Sequence, residues 1–440
     1  MGSENKAERL ARTIVERLRA RGHSAFLVGG CVRDLLLGLE AKDFDVATSA
    51  RPDQLLEMFP GADQVGAHFG VVLVRENGAQ VEVATYRRDL EYRDGRRPEG
   101  VVFETDPRED VVRRDFTVNA LLMDPVTGEV IDYVGGRADL EAKIIRAIGD
   151  PEVRFREDHL RLLRAIRFAV RLGFEIEPKT FRAMRELAPL IESVAAERVR
   201  DELIRILTEG GARRGLELMD ACGLLGEILP EVAAMKGVEQ PPEFHPEGDV
   251  WTHTLIMMEG LREPSITLAL GVLLHDVGKP PTFRVAERIR FDGHVEKGVE
   301  ITHAALSRLR FPHQVIESVA ALVANHMRFM DVPRMRESTL KRFMRMPGFE
   351  EHMALHRLDC LASHGDLENY EFVRQKQMET PPETLKPRPL VTGDDLIAAG
   401  YTPGPMFRKV LAEIEDAQLE GRITTKEEGL ELARRMYLRL

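Results

Sequence analysis

The spacing of apolar residues predicts a small α/β region at the start of the chain. Residues 7–22 repeat apolar positions every three to four residues, which predicts a helix that ends at Gly22. The segment AFLVGG then predicts a short buried strand that enters a glycine turn, and VRDLLLG predicts a helix closed by Gly38. Three further segments, FDVATSA, GVVLVRE and QVEVATY, predict strands. The region ends near Asp150 and Pro151.

Downstream of this region the pattern is helical. Residues 151 to about 235 keep helical spacing, and the segment PPEFHPEGDV, residues 241–250, has the prolines and glycine of a linker. Residues 251–365 are again helical, and a last helical segment follows several prolines. We therefore predict an α+β protein. Its parts are a small mixed-sheet head (residues 1–150) and all-α neck (151–240), body (241–380) and tail (381–440) domains.

Composition narrows the class of protein. The chain has 440 residues, of which 43% are hydrophobic and 31% charged, so it is not a disordered chain. No apolar run approaches the ~18–20 residues of a membrane span, and the polar N-terminus does not resemble a secretory signal. The three cysteines are too far apart in sequence for a disulfide framework, and a reducing cytoplasm is the simplest location.

The net charge of −11 argues against a protein coated in nucleic acid. Its distribution is uneven, because residues 151–215 carry 14 Lys or Arg against 11 Asp or Glu. A local basic region can bind phosphates within an acidic protein. The net charge therefore makes a nucleic-acid partner less favoured but does not exclude one.

Two carboxylates, Asp43 and Asp45, are two residues apart in a predicted strand, where such residues point to the same face. Neighbouring carboxylates repel unless a cation lies between them, and oxygen ligands suit Mg²⁺, which also binds substrate phosphates. Upstream, the Gly29-Gly30 turn lets backbone N–H groups approach an anion. These features favour a nucleotidyl-transfer site. Taken alone, an Asp-x-Asp pair on a surface strand and a Gly-Gly turn usually have no such role.

The segments LVGGCVRDLLLG and DFDVATSA resemble the class II CCA-adding tRNA nucleotidyltransferases and the related bacterial poly(A) polymerases, of the polymerase-β-like superfamily. Four further segments resemble family motifs in the same order: RRDFTVNALL (113–122), DYVGG (132–136), EDHLRLLRAIRF (157–168) and ERVRDEL (197–203). The resemblance implies transfer of nucleotides from CTP and ATP to a tRNA 3′ end, with Mg²⁺ at Asp43 and Asp45.

The resemblance also implies a nucleotide-binding set. Gly29, Gly30 and Arg33 would line the triphosphate pocket, and Arg114, Asp115 and Asn119 would contact ribose and triphosphate. The superfamily is expected to have a third carboxylate. Glu82 has the right strand alternation, although a solvated strand residue is an equal alternative.

A base-reading pair follows from the EDHLRLLRAIRF segment. Asp158 and Arg161 are three apart, so on one helix they would share a face. A carboxylate that accepts and a guanidinium that donates match the edges of cytosine and adenine and mismatch uracil and guanine. Arg164 and Arg167 continue this basic helix and are further candidate nucleotide-binding residues. The alternative is an ordinary helical salt bridge.

The Arg-rich segment 87–98 resembles the flexible loop of family members that add A, although a charged hairpin is as good an interpretation. Such a loop argues mildly against an enzyme that adds only CC.

Histidines concentrate in the predicted body. Adjacent His275 and Asp276 in an apolar segment are costly to bury unless a metal or a polar network compensates. The order H…HD…D resembles the HD superfamily of metal-dependent phosphohydrolases, with Ni²⁺, Co²⁺ or Mn²⁺ as suitable ions. The implied ligands are His253, His275, Asp276 and Asp359, with His294 and His326 as ligands of a second metal or as phosphate contacts. The resemblance implies hydrolysis of 2′,3′-cyclic phosphates or nucleotides. A lone helical histidine, by contrast, is more often structural.

Three alternatives stay open from the sequence. A partial enzyme that adds only CC or only A shares nearly all the motifs. A poly(A) polymerase shares the head, but its expected basic tail is missing here. In a third interpretation the HD site is the main activity and the head only binds RNA. The sequence indicates no membrane partner and leaves the oligomeric state open.

Overall fold

The computed structural model describes residues 5–64, 70–90, 95 and 99–438. The chain forms two compact units, Met1–Ala233 with Arg308–Arg310, and Ala234–Ser307 with Phe311–Leu440. The α+β class is confirmed, with strands concentrated in the first unit and helices dominating the rest. The finer predicted boundaries at 150, 240 and 380 stay predictions.

A seven-stranded mixed sheet forms the core of the first unit, in the order β3-β4-β5-β2-β1-β8-β9. Pairing is antiparallel except between β2 and β5, which are parallel. The chain between these two parallel strands must therefore form a crossover connection, which places β2 beside β5. The strands are β1 Ala25–Val28, β2 Asp45–Thr48, β3 Asp63–Gln64, β4 Val71–Glu76, β5 Ala79–Thr85, β6 Arg87–Asp89, β7 Val101–Phe103, β8 Leu122–Met123, β9 Val130–Ile131, β10 Ile144–Ile145 and β11 Glu175–Ile176.

Helices cover this sheet and complete the first unit. The amphipathic helix α1 buries Ile14, Val15 and Leu18 and packs on β1, β2 and β5. The helices are α1 Lys6–Ala20, α2 Gly30–Leu36, α3 Pro52–Met58, α4 Pro107–Val112, α5 Gly136–Ala142, α6 Pro151–Glu157, α7 Arg161–Leu172, α8 Pro178–Leu187, α9 Ala196–Thr208, α10 Ala212–Ala221, α11 Leu224–Ile228 and α12 Pro230–Ala233. In the described part of this unit, two 3₁₀ helices, Thr117–Asn119 and Ala188–Ser193, lie between them.

The predicted continuous helix over residues 157–168 is wrong. Helix α6 ends at Glu157 and α7 begins at Arg161, and Asp158 between them is extended (φ −142°, ψ 104°). The Asp158 carboxylate accepts a hydrogen bond from the backbone N–H of Leu160, 3.2 Å away. Aspartate forms such local bonds in competition with helical ones. The polar side chain therefore breaks a helix that the apolar spacing would continue.

Two motif segments of the head pack against each other. Gly136, at the start of α5, lies so close to the carbonyl of Thr117 that a Cβ atom at position 136 would collide with it. The Thr117 hydroxyl donates to Asp139, 2.6 Å away. In the turn before α5, one carboxylate, Asp132, accepts hydrogen bonds from four successive backbone N–H groups. These contacts fix the 3₁₀ helix Thr117–Asn119 against α5.

The second unit is helical apart from one short hairpin, β12 Arg284–Val285 with β13 Ile289–Arg290. Its first apolar helices, α13 and α14, pack on each other and on α19. Its helices are α13 Val250–Glu259, α14 Ile266–Leu274, α15 Lys279–Thr282, α16 His294–Arg308, α17 His313–Asn325, α18 Glu337–Met344, α19 Phe349–Ala362, α20 Glu368–Glu379, α21 Pro382–Leu385, α22 Gly393–Ala398, α23 Pro405–Leu419 and α24 Lys426–Tyr437. A 3₁₀ helix, His326–Arg334, follows α17.

No helix in the described ranges is long and apolar enough to cross a membrane.

Candidate functional site

Three carboxylates lie close together where the start of β2 pairs with the middle of β5. Asp45 opens β2 and pairs directly with Glu82 of β5, while Asp43 precedes the strand by two residues and is exposed. Phe44 and Val46 are buried, as the alternation predicts. The head therefore brings together Asp43, Asp45 and Glu82. The prediction that Asp43 shares a strand with Asp45 is wrong, because β2 begins at Asp45.

Asp45 lies in a partly buried region of excess negative charge. Burial, followed by the charge of Glu82 and then that of Asp43, raises the pKa of the Asp45 carboxyl to about 6, although Arg114 partly opposes this. Within the described chain the three carboxylates have no salt-bridge partner, unlike most acids around them. A divalent cation at this point would relieve the repulsion.

The head carboxylates are more open than a protein-only metal cage. Among the described head residues, no three His, Cys, Asp or Glu side chains have ligand atoms all within 4.8 Å of one another. Mg²⁺ keeps several waters and completes its shell with substrate phosphates, so two carboxylates suffice. The residues therefore fit magnesium that arrives with a nucleotide.

The glycine turn lies against this acidic cluster. Gly29 has a positive φ of 80°, and a Cβ atom built there would lie 3.4 Å from Arg114 Nη1 and 4.0 Å from Asp45 Oδ2. Only a residue without a side chain leaves this space open. Gly30 follows as the first residue of α2. The turn, Arg114 and Asp45 thus border one small space.

The predicted triphosphate and ribose contacts form a buried network. Arg33 is 2% exposed; its guanidinium donates to Asp34 Oδ1 at 2.8 Å and to Asn119 Oδ1 at 2.6 Å. Asn119 in turn donates to Asp115 Oδ1 at 3.2 Å. Arg33 therefore holds Asn119 in place, and its Nη2 atom lies 3.6 Å from the position that a Cβ atom at Gly30 would take.

Asp115 connects this network to α7. Burial opposes its ionisation, but the Arg164 guanidinium, at 2.6 and 2.9 Å, outweighs burial and holds the pKa of Asp115 at about 2. Arg114 is held in a similar way by Asp110, which is 1% exposed. Arg167, deeper in α7, pairs with buried Glu202 of α9 at 2.6 Å. The basic residues of α7 thus dock this helix onto the head and onto α9.

The predicted base-reading residues do not pair with each other. Both carboxylate oxygens of Asp158 are bound by Arg198, at 2.9 and 3.2 Å. Arg161 donates to Glu157 Oε2 at 2.6 Å and to the carbonyls of Arg154 and Arg113. We expected Asp158 and Arg161 to share one helix face, and this expectation is wrong. The alternative, an i,i+3 salt bridge between the two residues, is wrong for the same reason. Each has its own protein partner.

Most of the segment predicted as an A-adding loop cannot be compared with the structure. Residues 91–94 and 96–98 lie outside the described residues. Its first residues form β6, which pairs with β7.

In the helical unit the predicted histidines and aspartates converge in two groups. Ligand atoms of His253, His275 and Asp359 lie within 4.8 Å of one another. Those of Asp276, His294 and His326 form the second group. His275 joins the two, because its Nε2 atom lies 3.1 Å from Asp276 Oδ2. All six predicted residues therefore belong to one polar centre.

The imidazole rings of this centre are oriented so that their Nε2 atoms could bind a metal. The Nε2 atoms of all four histidines are buried, and within the described chain none makes a hydrogen bond of acceptable geometry. Those of His253 and His275 nevertheless lie 3.2 and 3.1 Å from oxygens of Asp359 and Asp276. The Nδ1 atoms of His275, His294 and His326 each donate to a backbone carbonyl, at 2.6–2.9 Å. A ring whose Nδ1 carries the proton presents the Nε2 lone pair, which is the atom that binds a metal. Unpaired buried nitrogens otherwise cost free energy.

The charges of the centre agree with this interpretation. Burial is the largest influence on His326 and, with the charge of His275, lowers its pKa to about 4 although Asp276 opposes this. For Asp276 burial opposes ionisation, but His275 and Lys279 outweigh it and lower the pKa. His294 and His326 are thus held in the neutral form and Asp276 in the ionised form, which are the forms that metals bind. His253 differs, because burial lowers its pKa but the carboxylates of Asp359 and Glu247 outweigh burial and raise it to about 9.

A cavity of about 920 Å³ opens beside these residues. Its wall includes Asp276, His294, His326 and Asp359, and also Lys279, whose Nζ atom lies 2.6 Å from Asp276. This volume is at the upper end for small-molecule sites.

Sequence reasoning missed several contributing residues. Glu247 binds His253, and Arg198 and Glu202 bind the predicted nucleotide-reading helix. Arg198 and Glu202 lie inside the ERVRDEL motif, which was a usable signal. Glu247 lies in the segment interpreted as a linker, so only its closeness to the first histidine could have drawn attention.

Three protein families match the chain in sequence order. The Poly A polymerase head domain matches residues 25–146, the probable RNA and SrmB-binding site of polymerase A matches residues 173–236, and the HD domain matches residues 249–362. Fold and site thus define a polymerase-type nucleotidyltransferase head joined to an HD unit, two domain classes that use divalent metals.

Similar proteins cover the whole chain. The CCA-adding enzyme of Enterococcus faecalis is 31% identical over 96% of this chain and 94% of its own length. The CCA-adding enzyme of Streptococcus mutans is 32% identical over 96% and 95%. The solved structure of the Bacillus stearothermophilus CCA-adding enzyme in complex with CTP has a TM-score of 0.76 and 28% identity over 99% of both chains. The chain belongs to the CCA-adding enzyme family.

Proposed function

We propose that this protein adds cytidylate and adenylate to the 3′ end of tRNA without a nucleic-acid template, using CTP and ATP. The observation that carries the proposal is the acidic cluster of Asp43, Asp45 and Glu82 beside the Gly29 turn. Full-length relatives named CCA-adding enzymes support it. The three buried free thiols suit the cytoplasm, where we place the protein.

The head residues divide the work of nucleotidyl transfer. Asp43 and Asp45 would hold Mg²⁺, with Glu82 as the third carboxylate. The ion would supply activation of the terminal hydroxyl and neutralisation of the triphosphate charge. The hydroxyl oxygen of the RNA end forms a bond to the α-phosphorus while the bond to the bridging oxygen breaks. Pyrophosphate leaves and the hydroxyl proton passes to solvent.

Positioning of the nucleotide falls to the glycine turn and the network behind it. Gly29 and Gly30 leave room for the triphosphate, and Arg114, next to that space, supplies positive charge. Arg33 and Asp115 act by holding Asn119 and Arg164 in fixed orientations. A rigid binding site holds the attacking hydroxyl and the α-phosphorus in the orientation that the reaction requires.

Base selection by Asp158 and Arg161 requires an exchange of partners. Arg198 occupies the Asp158 carboxylate, and Glu157 occupies Arg161. An incoming cytosine or adenine amine would take the place of Arg198, while N3 or N1 of the base accepts from Arg161. Uracil and guanine offer no amine there and leave Asp158 with Arg198.

The test of this function uses tRNA that ends at the discriminator base, at -C or at -CC, each incubated with CTP or ATP alone and resolved on a gel. Addition at each of the three stages supports CCA addition. Addition at only one stage identifies a partial enzyme, and long A tails identify a poly(A) polymerase. The double variant Asp43→Ala/Asp45→Ala should lose incorporation, and Glu57→Ala, an exposed acid on α3, is the matched control.

A second activity is favoured by the buried imidazole nitrogens of this centre, two of which, those of His294 and His326, belong to residues that line the 920 Å³ cavity. We propose that the HD unit hydrolyses 2′,3′-cyclic phosphates with Ni²⁺, Co²⁺ or Mn²⁺. His253, His275, Asp276 and Asp359 would hold the first ion, with His294 and His326 contributing to a second. A bound ion would supply an activated water.

Hydrolysis of 2′,3′-cyclic AMP in the presence of each of these ions tests the second activity. Intact substrate with all three ions would contradict it. Hydrolysis retained in Asp43→Ala/Asp45→Ala would show that the two centres act separately. If that variant also retained CTP and ATP incorporation, the head carboxylates would lose their assigned role.

A further inference from the structure

Glu247 contacts the histidine of the HD centre that differs from the other three in how its ring is held. His275, His294 and His326 each donate from Nδ1 to the carbonyl three residues earlier. His253 donates from Nδ1 to Glu247 Oε1, 2.6 Å away. His253 is fully buried, so this bond is shielded from water. One of four metal-facing imidazoles therefore depends on a carboxylate.

The position of His253 in its helix explains the difference. His275 and His326 stand at the C-terminal ends of α14 and α17, where the last carbonyls are free to accept. His253 lies in the first turn of α13, and the carbonyl three residues before it, that of Val250, already accepts from the Thr254 hydroxyl. The acceptor for His253 must come from outside the helix.

The segment before α13 supplies this acceptor and is itself anchored. Asp249 caps α13 by accepting from Thr252 N at 2.8 Å, and it also accepts from Gly237 N. The Val250 N–H donates to the carbonyl of Val238. These bonds hold residues 247–250 against the start of the helix. Glu247 Oε1 also accepts from His245 Nδ1 at 2.9 Å, so two imidazoles hold the same carboxylate oxygen.

We propose that Glu247 is a positioning residue of the HD centre, which fixes the Nδ1–H tautomer of His253 and raises the affinity of the His253, His275 and Asp359 group for its metal. The inference rests on the proposed HD function for the presence of that metal. A carboxylate behind a metal-bound imidazole raises its basicity, and the loss of such partners typically lowers metal affinity about 10–100-fold. Glu247 touches neither substrate nor metal in this role.

Metal binding itself provides the test, independently of catalysis. The full chain, carrying Asp43→Ala/Asp45→Ala so that the head does not compete, is stripped with chelator and titrated with Mn²⁺ or Ni²⁺ by calorimetry. Glu247→Gln, which is close in size but cannot carry the charge, should weaken binding about 10–100-fold. Glu243→Gln, an exposed glutamate in the same segment, is the matched control and should bind as the parent does.

A second readout separates positioning from general structural damage. With an unaltered head and 2′,3′-cyclic AMP as substrate, the metal concentration for half-maximal hydrolysis should rise about 10–100-fold in Glu247→Gln, and saturating metal should restore turnover. A loss that excess metal does not restore would overturn the proposal, as would an unchanged binding isotherm. A parent chain that binds no metal outside the head would contradict the HD function itself. If Glu247→Gln does not fold, Glu247→Asp is titrated in its place. The shorter side chain should also weaken binding, and parent-like affinity would reject the role.

Discussion

Asp45 and Glu82 stand directly opposite each other in the parallel pairing of β2 and β5, although 37 positions separate them in the chain. With Asp43 two residues away, their mutual repulsion adds to the burial of Asp45. The metal-free head therefore stores an unfavourable interaction that a cation removes. The charge of Asp45 therefore lowers the stability of the metal-free head and at the same time favours metal binding.

The first prediction concerns the stability of the metal-free chain. The pKa of Asp45 is about 6 when folded against 3.8 in its ordinary range, so folding binds a proton there. The destabilisation is absent below about pH 4, grows between pH 4 and 6, and is complete above 6. In chelator at pH 8, Asp45→Asn should stabilise the head by about 1–3 kcal/mol.

Thermal melting at pH 8 and pH 4 measures this effect, with Glu57→Gln as control. Saturating Mg²⁺ with CTP should reverse the order, because only the wild-type carboxylate gains from the ligand. An Asp45→Asn variant that is less stable than wild type in chelator at pH 8 would show that Asp45 has a compensating partner.

The second prediction concerns Gly278, where backbones approach closely. A Cβ atom at this position would collide with the carbonyl of His294 and lie 2.6 Å from Gly298 N. Gly278→Ala should displace the start of α16 and with it His294, at a cost of about 1–3 kcal/mol. We expect weaker metal binding in the HD unit and unchanged CTP incorporation, compared with Gly393→Ala, whose Cβ meets open space. Unchanged metal affinity would mean that His294 is not needed.

The third prediction concerns base choice. Asp158→Ala/Arg161→Ala should blur the discrimination of CTP and ATP against UTP and GTP by about 5–150-fold, since each bidentate base contact discriminates by about 1–3 kcal/mol. Triphosphate binding should change less, because the glycine turn is intact. Misincorporation assays measure this. The control is Arg213→Ala/Glu217→Ala, which removes an exposed ion pair of α10. Selectivity equal to wild type would assign both residues a structural role only.

The fourth prediction concerns the ion pair between Arg167 and Glu202, both nearly buried. Glu202→Ala leaves a buried guanidinium uncompensated and should cost about 3–5 kcal/mol in the free energy of unfolding of this unit. Arg167→Leu/Glu202→Leu removes both charges and should cost much less. Urea unfolding provides the measurement, and the exposed Arg213–Glu217 pair should contribute under about 1 kcal/mol. If the single and double variants lose equal unfolding free energy, the loss comes from packing and not from an uncompensated charge.

The sequence predicted elements well where a single face is buried. In QVEVATY, Val81 and Val83 are buried and Glu82 is exposed, as alternation predicts, and the residues form β5. The fold class and family were also predictable, because several motifs occur in one order and each places polar residues at a turn or helix start.

Partners distant in sequence were not predictable. Asp158 was assigned to a helix from periodicity, yet its own side chain stabilises an extended residue, and Arg198 binds it from 40 positions away. The expectation that Arg33 lines a triphosphate pocket stays a prediction, and the hydrogen bond that it donates to Asn119, 86 positions later, was not foreseen. Propensity and spacing describe local preference, whereas these contacts depend on how helices pack.

The close packing of Gly136 against Thr117 means that the RRDFTVNALL and DYVGG motifs must change together during evolution. No side chain fits at position 136 while the turn at Thr117 keeps its course. A lineage that replaced this glycine would have to reshape the neighbouring turn in the same evolutionary step. The two segments should therefore be inherited as one unit, and exchanging either alone between distant homologues should yield poorly folded chimeras.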